Sequence, residues 1–305
     1  MIKWRSFCVY ILWMGVVVPV RAQDKKPVIA FVSDTQAPLL VEHVIRKLHH
    51  NTKATALIFQ DIINSHPSSL FILGDVVSLG YQNSKWQKID TYLEECKQHH
   101  ILVYALLGNH ELMFNARKGA AQFQSRFPMH DPAGYVEVVD SVAVVLLNSN
   151  FSKMPDFLIK KQDNWYNDTM HHLDEDKAVK WVIVSCHHSP YTNSKVVAPS
   201  IAVRQKFVPA FVNSKKGILF LSGHSHNFER FNQQGKDFLV IGGGGGPHQP
   251  LLSKAVTPDI SVSYKPMFHY LEVERYHDSV KVVSRQLKND FSGFTDGLTF
   301  YVHRF

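Results

Sequence analysis

A chain of 305 residues, 45% hydrophobic and 19% charged, can bury a substantial core and is neither a disordered nor a fibrous protein. Its formal net charge is +7, and the +4 carried by residues 23–305 is modest and unclustered, which argues against a nucleic-acid partner. Three cysteines are too few for a disulfide framework.

In chain order, the N-terminal MIKWR is basic, FCVYILWMGVVVPV is apolar, Val20 and Ala22 are small, and QDKKP turns polar. That order predicts a secretory signal peptide over residues 1–22, cleaved after Ala22, and a secreted or periplasmic protein. The apolar run is short for a transmembrane helix, and a retained signal anchor is the alternative. Cleavage would remove Cys8 and three positive charges, Lys3, Arg5 and Arg21, taking +7 to +4. Residues 23–305 then read as one domain, with no later segment apolar enough to span a bilayer. Cys96 and Cys186 could pair, although Cys96 falls on the apolar face of a helical pattern, where packing is its expected role.

Five apolar runs of strand length follow, namely PVIAFVSD (27–34), SLFILGD (69–75), ILVYALLGNHE (101–111), KWVIVSCHH (180–188) and GILFLSGHSH (217–226). Continuous rather than alternating apolar residues indicate strands buried on both faces. Helical faces are predicted from Val41, Val44, Ile45 and Leu48, from Leu57, Ile58 and Ile62, from Trp86 to Cys96, and from Ile159, Tyr166, Met170 and Leu173. YVEVVD and SVAVVLLN read as successive strands, and LEVERYHDSVKVVSR as a hairpin around His277-Asp278-Ser279. The fold class is therefore α/β, with helices covering a mixed sheet or two stacked sheets.

Every one of the five runs ends on metal-capable residues, and ligands in such folds gather beyond the carboxyl ends of strands. Asp34, Asp75, Asn109, His187, His224 and His226 offer the carboxylate, amide and imidazole donors that divalent cations take. A carboxylate can bridge two such ions. The run GGGGG at 242–246 lacks a following Lys-Ser/Thr and is not a P-loop; it reads as a tight turn bringing backbone to the site. The pairs His49-His50, His99-His100 and His171-His172 read as helix-end or surface residues.

The order D…GD…GNHE…HH…GHxH resembles the calcineurin-like metallophosphoesterases from about Pro27 to Phe231. GHSHNFER, and QDNWYNDTMHHL ahead of KWVIVSCHH, look closest to the purple acid phosphatase-like branch. The resemblance implies a four-layer αββα sandwich of two mixed β-sheets and a dinuclear centre of divalent Mn, Zn, Fe or Mg. It implies that Asp34 binds the first metal, Asp75 bridges, Asn109, His187 and His224 bind the second, and His226 returns to the first. His110 would act as general acid or electrostatic stabiliser, oriented by Glu111. The implied reaction is attack of a metal-bound hydroxide on a small phosphate ester, with phosphomonoesters favoured. A phosphodiesterase, or a catalytically weakened binding module, is the alternative.

The chain departs from the pattern at two places. Gln36 stands where most relatives have histidine, and Ser78 stands where the purple enzymes have a tyrosine, with Tyr81 too far along. The resemblance then implies a weak first site, with the Gln36 amide as ligand or as simple loop amide, and a colourless enzyme. Counting from Trp181 makes His187 the ligand and counting from Pro190 makes it His188; His187 is favoured, with the other in a supporting or substrate-facing place. Asn148, Tyr191 and Arg117 could reach the substrate rim, or serve as a cap and ordinary surface groups.

Overall fold

In the computed structural model, which describes residues 28–45 and 47–303, the apolar runs become strands whose alternate residues enter different cores. The expected signal peptide lies outside the described residues. The chain begins β1 (Val28–Val32), α1 (Leu40–Ile45), α2 (Asn51–Ser65), β2 (Ser69–Ile72), α3 (Asn83–Gln98), β3 (Leu102–Ala105) and α4 (Ala116–Arg126). It continues with β4 (Tyr135–Val139), β5 (Val142–Leu147), α5 (Asp156–Glu175), β6 (Trp181–Cys186), α6 (Ile201–Lys206), α7 (Val208–Asn213) and β7 (Gly217–Ser222). β8 (Phe228–Gln233), β9 (Lys236–Ile241), β10 (His269–Arg275), β11 (Ser279–Leu287) and β12 (Phe294–His303) complete it.

These strands form two mixed six-stranded sheets, in the orders β12-β11-β10-β1-β2-β3 and β4-β5-β6-β7-β9-β8. Because side chains alternate along a strand, β1 sends Ile29 and Phe31 to the core between the sheets and Ala30 and Val32 toward the helices. β5 divides in the same way, with Val142, Val144 and Leu146 between the sheets and Ala143, Val145 and Leu147 on the far side. Ile58 and Ile62 of α2, Trp86 and Ile89 of α3 and Phe123 of α4 cover the first sheet. Tyr166 and Met170 of α5, with Phe211 of α7, cover the second. The result is the expected four-layer αββα arrangement. Between the sheets Phe31, Phe71 and Tyr104 stack across β1, β2 and β3 with ring centroids 5.2 and 5.1 Å apart. Full burial of a ring such as Phe31 contributes about 1.5–3 kcal/mol.

Three expectations need correction or addition. The Val41–Leu48 face does not form. α1 ends at Ile45, before Leu48, and Val41 and Val44 are exposed, since one and a half turns cannot carry an apolar stripe onto the core. Cys96 and Cys186 are unpaired and belong to the helix-side cores of different sheets. Burial pushes the Cys96 thiol up to about 12 and raises that of Cys186 as well. The hairpin β8–β9 and the edge strand β12 were not foreseen. The hairpin turns through Gln234 and Gly235, both at positive φ (52° and 79°), the geometry of a two-residue type I′ turn. Among the described residues no helix is long and apolar enough to cross a membrane.

Candidate metal centre

β1, β2 and β3 run parallel in one sheet and β5, β6, β7 and β9 in the other, so the carboxyl ends of both sets open on one edge. Asp34, Asp75 and His224 follow β1, β2 and β7 within three residues, and all three have left-handed backbones (φ 61°, 49° and 66°). Such a backbone costs a non-glycine residue roughly 1–2 kcal/mol, and here it is fastened from neighbouring strand ends. Asp34 N–H donates to Gly74 O (3.1 Å) and Gln36 N–H to Asp75 O (3.1 Å). His224 N–H donates to the Asp34 carboxylate (3.0 Å to Oδ2), and His110 N–H to Asp75 Oδ1 (2.8 Å). The glycine before Asp75 has a steric reason too. Gly74 has φ 85°, and a Cβ there would lie 2.7 Å from Gly108 N and from His187 Nδ1.

The side chains so turned form two groups, Asp34–Asp75–His226 and Asp75–His187–His224, each with ligand atoms within 4.8 Å of one another. Asp75 is common to both. His187 and His226 are aimed as metal ligands are, one nitrogen on a backbone carbonyl and the other turned to the site. His187 Nδ1 bonds Leu73 O (2.9 Å) and leaves Nε2 at 3.2 Å from both Asp75 Oδ2 and Asn109 Oδ1. His226 Nδ1 bonds Pro247 O (2.9 Å) and leaves Nε2 at 3.4 Å from Asp34 Oδ1. Hydrogen bonding fixes the Gln36 amide. With its NH2 on Asp34 O (3.0 Å) and Asp75 O (2.8 Å), Oε1 faces His226 Nε2 at 3.3 Å, inside the first group.

Of the two adjacent histidines, His187 is the one whose ring meets Asp75. The His188 ring turns away, with Nδ1 on Ser149 Oγ (2.8 Å), and rests against the His224 ring at 4.5 Å between centroids. His110 places Nδ1 on Ser78 O (3.0 Å) and Nε2 3.8 Å from Asp75 Oδ2. Glu111 does not orient it. Its buried carboxylate accepts from the N–H groups of Asp75 (2.9 Å), Gly108 (2.8 Å) and Val77 (3.0 Å), clasping the loops after β2 and β3 together. Asn148 is a cap, its Oδ1 accepting from Asn150 N–H (3.0 Å), and with Arg117 it lines a separate cavity of about 240 Å3 that no candidate ligand reaches. Tyr191 is no rim residue: it is buried against Phe231 and Phe238, because the chain after β6 folds down onto the helix-side core.

Charge is concentrated here under nearly complete burial. Burial opposes ionisation of Asp75, yet facing His187 and His110 hold its carboxyl well below the usual range. Burial also works against a charged His187, but Asp75 outweighs it and pushes the ring up to about 9. His226 is raised against burial by its bond to Asp34. Burial first, and then the neighbouring His187, drive His224 far down and His188 to about 3. Carboxylates and imidazole nitrogens packed this closely, with amide oxygens beside them, match the donor set of divalent cations.

Sequence reasoning missed several supports. The glycine run packs on the first group through Gly244 N–H to Ser33 O (2.9 Å) and Gly246 N–H to Asp34 O (2.8 Å). Asn51 Nδ2 holds its carbonyls at Gly245 (2.8 Å) and Gly246 (3.0 Å). Buried Glu229 accepts from Thr192 Oγ1 (2.5 Å) and Asn193 N–H (2.7 Å), tying the start of β8 to the loop after His188. The glycine run and the Glu229 of GHSHNFER gave a signal; Asn51 and Thr192 gave none.

Residues 27–228 match the family model for calcineurin-like phosphoesterases. No curated protein matches the chain. Among solved structures, purple acid phosphatase PPD1 from yellow lupin (Lupinus luteus) seeds is 17% identical with a TM-score of 0.70, over 92% of this chain and 54% of that one. The chain thus spans about half the length of the lupin enzyme. GAP50, the anchor in the inner membrane complex of Plasmodium, is 14% identical with a TM-score of 0.63, over 92% of this chain and 89% of that one. A dimetal phosphatase from Danio rerio is 12% identical with a TM-score of 0.58, over 92% and 100%. At these identities the likeness establishes the fold, and the family match establishes the family: the chain belongs to the calcineurin-like phosphoesterases.

Proposed function

We propose that this protein hydrolyses phosphate esters, phosphomonoesters foremost, at two divalent cations. Asp34, Gln36 and His226 would hold one, Asn109, His187 and His224 the other, and Asp75 both. The observation that carries this reading is the presence of Asp75 in both groups of converging ligand atoms. When bound, such ions polarise phosphoryl oxygens and ionise water near neutral pH.

The chain's own residues divide the remaining work. Ser78 O accepts from His110 Nδ1–H, so Nε2 is the atom facing the site. In the imidazolium form Nε2–H can give its proton to the departing ester oxygen, and in the neutral form it can accept one. Glu111 keeps Asp75 and the Asn109–His110 turn in fixed relation by gripping backbone on both sides. Enclosure of Asp34, Asp75 and His187 keeps water from competing for these charges. We further propose that the chain is exported by its N-terminal segment.

Elemental analysis of the purified protein, with rates on p-nitrophenyl phosphate and bis-p-nitrophenyl phosphate, tests this reading. It expects two divalent ions per chain and faster hydrolysis of the monoester. With Ser78 in the tyrosine position it also expects no tyrosinate charge-transfer band. A faster diester reaction would make the protein a phosphodiesterase, and bound ions without turnover on either ester would favour a binding module weakened at Gln36.

A further inference from the structure

Phe114 is 82% exposed and has a left-handed backbone (φ 61°). Glycine or asparagine suits that conformation, and a bulky aromatic residue there is an outlier. An exposed ring gains little from core burial either, so fold stability gives no reason for phenylalanine at this position. Its surroundings give one. Phe114 meets the half-buried Tyr81 edge to face, with ring centroids 6.4 Å apart. The carbonyl of His110 accepts from Gly80 N–H (3.3 Å) and from Met113 N–H (3.4 Å), and Tyr81 and Phe114 are the residues that follow those two donors. Ser78 O, on the same loop as Tyr81, holds the His110 ring. Tyr81 and Phe114 are thus the chain neighbours of the two N–H groups that hold the carbonyl of His110, the residue proposed above to face the departing oxygen.

We propose that Tyr81 and Phe114 form an aromatic platform that selects phosphoesters whose leaving group is an aryl ring attached directly to the ester oxygen. This rests on the phosphoesterase reading and refines its substrate class. A flat ring leaving past His110 would pack against an aromatic pair already set edge to face, one member of it on a left-handed backbone. Edge-to-face and stacked aromatic contacts favour such a ring about tenfold over an alkyl group.

Calorimetric binding of phenylphosphonate and of methylphosphonate to the manganese-loaded protein tests the platform without turnover. The expected affinity ratio is about tenfold in favour of phenyl. It should fall to about threefold or less in Phe114→Ala and in Tyr81→Leu, and return toward tenfold in Phe114→Trp. Phe114→Leu, apolar but not flat, should stay low. A wild-type ratio near one, or a ratio unmoved in both Phe114→Ala and Tyr81→Leu, overturns the platform and leaves the phosphoesterase reading standing. Failure of either phosphonate to bind, together with no ester hydrolysis, overturns both.

Discussion

The two ligand groups share Asp75 but are built differently. Asp34, Gln36 and His226 are 0%, 1% and 6% exposed and lie under the backbone of the glycine run, which bonds Ser33 O and Asp34 O. Asn109 and His224 are only half-buried, with His110 and His188 alongside. The first group is enclosed by main chain and has the neutral Gln36 amide beside it. The second keeps His187 buried but opens at Asn109 and His224, is rich in imidazole, and adjoins the residue expected to meet the leaving group. An enclosed group is set by packing and tolerates little change of shape, whereas an open one is set by its donors.

The largest effect should come where the two groups meet. Asp75→Asn is expected to lose both ions in elemental analysis and more than about 10²-fold in hydrolysis, beyond what a supporting residue costs. Retention of one ion at full strength would show that the groups are independent. Within the open group, His187→Ala should cost about 10²-fold and His188→Ala less than about tenfold, because His188 is anchored on Ser149. Equal losses would erase the distinction between the two rings. In the enclosed group, Gln36→His replaces an amide oxygen with imidazole and should raise first-site affinity for zinc about tenfold in a chelator competition. An unchanged affinity would mean that Gln36 Oε1 is not a donor.

A further effect, on stability rather than on metal or turnover, lies outside the site and sharpens the contrast from there. His187 and His226 face carboxylates, whereas His130 is buried among rings, 5.0 Å from Phe123 and 6.0 Å from Tyr135, without a hydrogen-bond partner for either ring nitrogen among the described residues. Burial pushes its pKa down to about 4, against a small opposing pull from Asp131. The folded value lies below the unfolded one near 6.5, so folding favours the neutral ring. That stability is present above pH 6.5 and is lost as pH falls from 6.5 toward 4, to a limit of about 3 kcal/mol. Urea unfolding should therefore show a shallower fall in stability between pH 6.5 and 4.5 for His130→Phe than for the unmodified protein; parallel curves would remove His130 from the explanation.

Much of the fold was legible because its signals are local. The runs SLFILGD, KWVIVSC and GILFLSG became β2, β6 and β7, whose continuous burial matches their unbroken apolar composition. The hairpin at His277-Asp278-Ser279 formed where charged turn residues separate two alternating segments. α1 failed because its apolar spacing was real but its length was not, and nothing in four scattered apolar residues sets where a helix stops. β12 was invisible because an edge strand exposes much of its length and carries little hydrophobic pattern.

The same division holds at the site. The sequence by itself determined which donor types stand at the strand ends, in what order, and that a glycine precedes Asp75, Asn109 and His224, because a strand and the turn after it are short-range structures. Only the tertiary structure decided that His187 rather than His188 joins Asp75, that Glu111 clasps backbone instead of steering His110, and that Tyr191 is core. Each of those outcomes depends on a partner far along the chain: Leu73 for His187, Val77 and Asp75 for Glu111, Phe238 for Tyr191. Side-chain direction after a turn is chosen by whichever distant carbonyl, N–H or apolar surface the folded chain brings within reach, and that choice is made in space rather than along the polypeptide.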